Sequence, residues 1–342
     1  MNSRLSSFES MLLRSWQSPS ALSVVLWPLS QCYRVAYLLN RFVYEWGIKR
    51  RYVAPVPVVV VGNLTVGGAG KSPCVAAITK ALGARGLRVG IISRGYHRDN
   101  ERQVVMVDSQ SASTNVGDEP LMLFEQTGVP IAVCATRKLA IEALLANHTL
   151  DVIVSDDGLQ HWPLLPKFKV CIDDESVVQN NRLLLPAGPY REPYRRLQSM
   201  DYVLIHSLES QLDDAKHHFY LEPGNPTRVS EPQLDREPQL DQGPRPFPAG
   251  PFNLVAGIGK PERFFKTVQK LGLDGVEHPF SDHHVFTEQD FDFANDYPVL
   301  MTEKDAVKCR RLKTRDLWYL PVIAKLPSDL VDAIIVKLKL QR

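Results

Sequence analysis

The 342-residue sequence predicts an α/β fold with a mostly parallel sheet, and three observations carry that prediction. Short apolar, β-branched runs alternate with helical stretches from Pro55 to about Met200. One of these runs, Val58 to Val61, stops in a glycine-rich turn ending Gly70-Lys71-Ser72, the order of strand, phosphate-binding loop and helix. Further runs at Tyr202 to His206, Phe252 to Ala256 and Val299 to Thr302 mark a second, smaller α/β unit.

Composition narrows the classes. The length suits two domains, and an apolar fraction of 44% with 23% charged residues is that of a globular protein. A net charge of +2, with no basic stripe interleaved with aromatics, argues against nucleic acid as a partner. The five cysteines are scattered and form no C-x-x-C pair, so neither a disulfide framework nor a zinc site is indicated and a reducing cytoplasm fits. Nothing in the sequence calls for an obligate protein partner.

The N-terminal stretch Ala21 to Trp46 is rich in Leu, Val, Trp and Tyr and leads into Lys49-Arg50-Arg51. Pro28, Gln31, Arg34 and Arg41 interrupt it well short of the roughly 18–20 apolar residues that a bilayer crossing needs. No small-residue cleavage site follows, as a signal peptide requires. On a helix after Pro28, Arg34, Arg41 and Glu45 fall within about 40° of one another at 100° per residue. Residues 1–54 therefore read as an amphipathic segment in a membrane interface, with basic residues near anionic headgroups. A helix pair packed on the protein's own core is the alternative.

Val58 to Val61 suit a buried parallel strand. Gly67, Gly68 and Gly70 let backbone N–H groups converge on an anion, and a helix over Val75 to Leu82 adds its positive N-terminal dipole. Thr65, Val66, Gly67, Gly68, Ala69, Gly70, Lys71 and Ser72 are thus the candidate loop for a nucleoside triphosphate. In such a loop Lys71 would neutralise the β- and γ-phosphates and the Ser72 hydroxyl would hold Mg²⁺. Thr65 occupies the place of the first glycine of G-x-x-x-x-G-K-[ST].

Runs at Arg88 to Ile92, Val104 to Val107, Ile131 to Cys134, Val152 to Ser155 and Val170 to Ile172 complete a core domain over 55–200. Asp156 and Asp157 follow the fourth of these, where a P-loop protein keeps the acid that helps hold Mg²⁺; taken alone, an Asp-Asp pair is a turn. His161 is a candidate for phosphate or substrate contact, or for a structural hydrogen bond. Val116-Gly117-Asp118-Glu119-Pro120 opens a helix through Leu121 to Phe124, and acids in a first turn are ordinary there. Phosphoryl transfer to a hydroxyl, however, needs a carboxylate or histidine to take the proton. Asp118 and the Asp282-His283 pair of FSDHHVF are the available candidates. Arg94 in Ser93-Arg94-Gly95-Tyr96 and Arg191-Glu192 in LPAGPYRE lie in turns, where loops offer side chains to ligands. An arginine there clamps phosphate or makes a surface ion pair.

The second unit, 201–342, contains Glu222 to Gly250, dense in Pro, Gly, Gln and charge with EPQLD twice, the composition of a disordered insertion. Its helices are expected at Pro261 to Leu271 and Ala306 to Leu312. Two near-motifs exclude other classes. Thr302-Glu303-Lys304-Asp305 follows a strand as a guanine-reading N/T-K-x-D loop does, yet Glu303 takes the place of the lysine. Gly257-Ile258-Gly259 opens like a dinucleotide turn, but Glu262 stands at the third glycine.

Taken together, VGNLTVGGAGKSP, SRGY, VGDEP, DDGLQH, LPAGPYRE, GIGKPERFF, FSDHH and MTEKDAVKC, in this order, resemble the tetraacyldisaccharide 4′-kinases, the lipid A 4′-kinases of Gram-negative bacteria. The resemblance runs from about Ala54 to Pro321. It implies a P-loop nucleoside triphosphate hydrolase-like core that transfers the γ-phosphoryl of ATP to the 4′-hydroxyl of a tetraacylated disaccharide 1-phosphate, giving lipid IVA. The setting it implies is the cytoplasmic face of the bacterial inner membrane. It puts residues 65–72 around the ATP phosphates, Asp156 and Asp157 near Mg²⁺, and Asp118 as the catalytic carboxylate assisted by His283. Arg94, Glu119, His161, Arg191 and Glu192 are the candidate substrate contacts. The chain departs from the pattern where His97-Arg98-Asp99 follows SRGY in place of Gly-Gly, where Ser72 stands for the commoner Thr, and in its longer insertion. A kinase for another sugar or lipid, or a membrane-docked nucleotide switch, are the competing readings.

Overall fold

The computed structural model describes residues 11–12, 14–16, 18–96, 98–174, 181–207, 217–229, 246–312 and 316–340. The helix α1 (Ala21–Glu45) runs through Pro28 instead of starting after it. A proline costs a helix mainly one N–H and a ring contact with the preceding turn, and this helix absorbs both. Ser23, Ser30 and Tyr37 on one face of α1 are buried. Ser30 Oγ donates to the Leu184 carbonyl at 2.8 Å and Tyr33 Oη to that of Arg191 at 2.8 Å. The opposite face leaves Val24, Val25, Trp27, Leu29, Val35, Leu38, Leu39 and Phe42 exposed. No described helix is long and apolar enough to cross a membrane.

Strand β1 (Val58–Asn63) is buried along its whole length. Its valines alternate, Val59 and Val61 joining the core on one side of the sheet and Val58 and Val60 the core on the other. A strand covered on both faces reads as an unbroken apolar run. Helix α2 (Lys71–Ala84) buries Cys74, Val75, Ile78 and Leu82 on the Val59 side. Beyond it come β2 (Val89–Ser93), β3 (Val105–Val107), α3 (Ser113–Val116), α4 (Asp118–Thr127), β4 (Ile131–Val133) and α5 (Arg137–Asn147). Strands β5 (Val152–Asp156) and β6 (Phe168–Asp174) flank β1 in parallel, with Val61 opposite Asp156 and Asn63 opposite Ile172.

The remaining elements are β7 (Tyr202–His206), β8 (His218–Pro223), β9 (Thr227–Arg228), β10 (Phe252–Ala256), α6 (Pro261–Lys270), β11 (Gly275–Pro279), β12 (Val299–Thr302), α7 (Glu303–Cys309), β13 (Leu317–Leu320), β14 (Val322–Lys325) and α8 (Ser328–Leu338). The strands form a nine-stranded sheet, β14-β8-β7-β6-β1-β5-β2-β4-β3, and a five-stranded sheet, β11-β10-β12-β13-β9. Both are parallel except at β3, β14 and β9.

The sheets do not divide at residue 200. β7 pairs with β6 in the larger sheet, with Val170 opposite Tyr202, and the antiparallel pair β8–β14 carries the chain out to the smaller sheet and back. Helix α7 begins at Glu303, earlier than the expected Ala306, because Thr302 Oγ1 accepts from the Asp305 N–H at 3.2 Å and caps it. Of the expected insertion, residues 230–245 lie outside the described residues, while Thr227–Arg228 forms the edge strand β9. All five cysteines are free.

Candidate active site

The loop after β1 turns sharply into α2. Gly70 has φ +83° and Gly67 φ +108°, left-handed values that side chains rarely adopt. Phe219 and His206, stacked at 4.8 Å, back the turn at Gly70. A Cβ on Gly67 or Gly68 would meet nothing within 4 Å, so the outer face of the loop is open to a ligand. Thr65 needs no glycine's freedom, since it pairs with Tyr190 in an antiparallel bridge and its hydroxyl accepts from Asn63 Nδ2 at 3.2 Å. The Val66 N–H donates to Pro189 O at 2.9 Å. Ala69 and Ser72 are buried.

Lys71 Nζ donates to Asn63 Oδ1 at 3.1 Å and stands 3.7 Å from Asp157 Oδ2. Arg191 grips the same pair, donating to both Asp157 carboxylate oxygens at 3.1 and 3.2 Å and also to Asn63 Oδ1. Burial would raise the Asp157 carboxyl, but Lys71 and Arg191 outweigh it and hold the group below its ordinary range. Asp157 has φ +43°, a left-handed backbone that Asp tolerates better than most residues. Asn63, fully buried, was missed in the sequence; the signal was the Gly-Asn that ends an apolar strand.

Asp156 differs from its neighbour. It is 1% exposed, and among the described residues it accepts only a long 3.4 Å bond from Ser93 Oγ and its Oδ1 has no hydrogen-bond partner. Burial first, then Glu119 and Asp157, push its carboxyl up to about 7 against the opposing pull of Lys71 and Arg137. Arg137, also missed, donates to Asp156 O at 3.2 Å and is itself lowered to about 10, chiefly by burial.

The other wall comes from α4 and the smaller sheet. Asp118 opens α4 after Gly117, and His283 Nδ1 lies 3.1 Å from Asp118 Oδ2. His283 has φ +58° and the Tyr96 ring packs edge-on at 5.6 Å. Lys304 completes the group: its Nζ is 3.1 Å from Asp282 Oδ1, 3.3 Å from His283 Nε2 and 3.7 Å from Glu119 Oε1. Burial would lower Lys304, but Glu119, Asp282 and Asp118 outweigh it and hold the ammonium above its ordinary range. The sequence pointed to this loop through TEKD but assigned Lys304 nothing.

Two carboxylates brace this wall: Asp174 ties it to the end of β6, and Asp305 holds its own turns together. Asp174, at the end of β6 and 4% exposed, accepts from Lys260 Nζ at 3.0 Å and from Arg263 at 2.8 and 3.1 Å. Asp305 accepts from the Gly257 N–H at 2.8 Å and Thr302 Oγ1 at 2.6 Å, and pairs with Lys308 at 2.7 Å. A Cβ on Gly259 would stand 3.8 Å from Gly68 N and 3.4 Å from Asp282 Oδ2. Asp305 is thus committed to holding the 257–259 turn rather than to reading a base.

A model of the family described as LpxK, tetraacyldisaccharide-1-P 4′-kinase, matches residues 22–339. The chain belongs to this family. It is 39% identical over 330 residues to the tetraacyldisaccharide 4′-kinase of Hahella chejuensis, spanning 95% of each chain. To that of Azoarcus sp. it is 41% identical over 329 residues, 95% of this chain and 94% of the other. Its fold is similar to LpxK from Aquifex aeolicus, solved in complex with ATP, with a TM-score of 0.75 and 24% identity over 93% of this chain and 99% of that one.

The remaining expected residues divide. Glu119 faces Lys304, and Arg191 sits at the phosphate wall. Arg94 turns instead to Glu101, at 2.8 Å, and is more than half exposed. Glu192 is buried and committed within the protein, accepting from Tyr37 Oη at 3.1 Å, Gln160 Nε2 at 2.9 Å and Arg196 Nε at 3.1 Å. His161 is pushed down to about 4, first by burial and then by Arg137 and Arg94. In the loop after SRGY, Arg98 is buried and donates to the carbonyls of Glu101 at 2.9 Å and Asn115 at 3.4 Å, which fixes a segment expected to depart from the family; His97 lies outside the described residues.

No cluster of three or more His, Cys, Asp or Glu among the described residues is arranged to hold a metal by itself. The orphaned, buried Oδ1 of Asp156 and its raised carboxyl fit a divalent cation that would pair it, with the Ser72 hydroxyl as second donor. Asp157, already clamped by Arg191, fits less well.

Proposed function

We propose that the chain transfers the γ-phosphoryl group of ATP to the 4′-hydroxyl of a tetraacyldisaccharide 1-phosphate, the step of lipid A biosynthesis that yields lipid IVA. The observation that carries this reading is the 3.1 Å approach of His283 to Asp118 on a wall latched against an open glycine loop, in a chain of this family. The acceptor oxygen attacks the γ-phosphorus as the bond to the leaving ADP oxygen breaks, and Asp118 takes the hydroxyl proton.

Lys304 has only donors, so the His283 Nε2 that faces it is the acceptor. Nδ1 therefore carries the ring proton and donates it to Asp118, orienting that carboxylate. Residues 65–72 with Lys71 hold the triphosphate, and Arg191 keeps Asp157 and Asn63 in place beside it. Asp156 and Ser72 would hold Mg²⁺, which when bound neutralises charge on the β- and γ-phosphates.

A lipid acceptor also gives a use to the exposed apolar face of α1, which with Lys49-Arg50-Arg51 suits a peripheral or monotopic stay at the cytoplasmic face of the inner membrane. The test is transfer of label from [γ-³²P]ATP to tetraacyldisaccharide 1-phosphate, read by thin-layer chromatography with and without Mg²⁺. A labelled lipid that requires Mg²⁺ is expected; label released only as phosphate, independent of acceptor, would overturn the assignment.

A further inference from the structure

A cavity of about 250 Å³ lies beside the C-terminal end of α1, and no residue of the 65–72 loop lines it. Four cations do: Arg41, Arg51, Lys169 and Arg196. Their carboxylate partners are fewer. Arg41 pairs with Glu45 at 2.9 Å and Arg196 with Glu192 at 3.1 Å, while Lys169 Nζ donates to the Ser199 carbonyl. Arg51 has no such partner, and its Nε and one Nη are buried without a hydrogen-bond acceptor among the described residues. Its guanidinium lies 5.5 Å from the centroid of the Trp162 ring, and that of Arg196 lies 4.6 Å from the same ring. Burial lowers Lys169, and Arg196, Lys337 and Arg51 lower it further while Asp201 opposes them, the signature of crowded positive charge.

Buried donors left unmade are costly, and guanidinium groups match phosphate oxygens in geometry. The volume is below the roughly 300–1,000 Å³ of sites for drug-sized ligands but ample for one phosphate group. Arg41 and Glu45 of α1 line the cavity and the adjacent Phe42 and Trp46 are exposed, so an anion reaching it from a membrane would arrive on a lipid. We infer that this cavity is a second phosphate site, separate from the ATP loop, which takes the phosphate of a lipid through Arg51 and Lys169. The lipid is the acceptor's own 1-phosphate or an anionic phospholipid headgroup; only the first source rests on the kinase reading.

Full-length Arg51→Ala, Arg51→Lys and Lys169→Ala proteins are compared with wild type in two assays. The first measures KM for the tetraacyldisaccharide with and without its 1-phosphate. The second measures co-sedimentation with vesicles of phosphatidylcholine alone or with phosphatidylglycerol. Arg51→Ala is expected to raise KM for the phosphorylated acceptor about ten-fold, leave kcat and the KM of the dephosphorylated one within about two-fold, and be partly rescued in Arg51→Lys. Unchanged KM values with lost binding to phosphatidylglycerol vesicles alone would assign the site to a headgroup. No change in either assay would overturn the site. If wild type phosphorylates neither acceptor, the kinase reading falls and the vesicle assay still decides the cavity.

Discussion

The phosphate loop and the Asp118–His283 wall face one another but are assembled by opposite means. The loop, with Asn63, comes from consecutive residues between a fully buried strand and its helix, and its conformation follows from glycines at Gly67 and Gly70. The opposite wall is collected from three distant stretches, at Asp118-Glu119, Asp282-His283 and Lys304, and is held by ion pairs and by Asp174 and Asp305. Binding of phosphates is therefore a local property of one strand-loop-helix unit. Transfer depends on how the two sheets are pressed together.

That contrast is open to attack from each side. On the loop side the largest effect is expected from Lys71→Ala, which removes the only lysine of the loop and should lower turnover about 10²–10³-fold with an unchanged far-ultraviolet dichroism spectrum. Asp174→Ala leaves Lys260 and Arg263 without their shared carboxylate. Removing one member of a buried pair costs about 3–5 kcal/mol, and because both cations are partly exposed about 2–3 kcal/mol is expected in urea unfolding. An unaltered midpoint would show that this latch does not hold the walls.

Acid should lower stability as well, at this junction through His206 and within the larger sheet's side through His161. His161 and His206 are each pushed down to about 4, by burial foremost, against 6.5 in the unfolded chain. The unfolded state thus binds more protons between those values, so this stability is complete above pH 6.5 and is lost as pH falls toward 4. At pH 5 the loss is about 2 kcal/mol for each histidine. His206→Gln should flatten the dependence of urea midpoint on pH; a slope equal to wild type would exclude His206 as a source. The smallest effect is expected from Lys304→Met, about ten-fold in kcat with KM for ATP within about two-fold, since it disturbs the orientation of His283 and not the phosphate loop.

The same division governs what the sequence made legible. The loop, the strand before it and the placement of Asp156-Asp157 at the end of β5 were readable because their chemistry is local: glycines at fixed offsets, an apolar run, acids at a strand end. Lys304 was not, because its role arises from contact with residues far away in the chain, and its own neighbours resembled a failed guanine loop. Glu192 was read as a ligand contact from its turn, while burial beside Tyr37, Gln160 and Arg196 commits it to the protein. The place of β7 in the larger sheet was hidden for a related reason, since an apolar strand does not declare its pairing partner.

The most direct test of this two-walled account is Asp118→Asn, measured for ATP affinity by titration calorimetry and for label transfer to tetraacyldisaccharide 1-phosphate. The account predicts affinity within about two-fold of wild type and transfer reduced about 10²–10⁴-fold. Transfer near the wild-type rate, or a loss of ATP affinity as large as the loss of transfer, would contradict it.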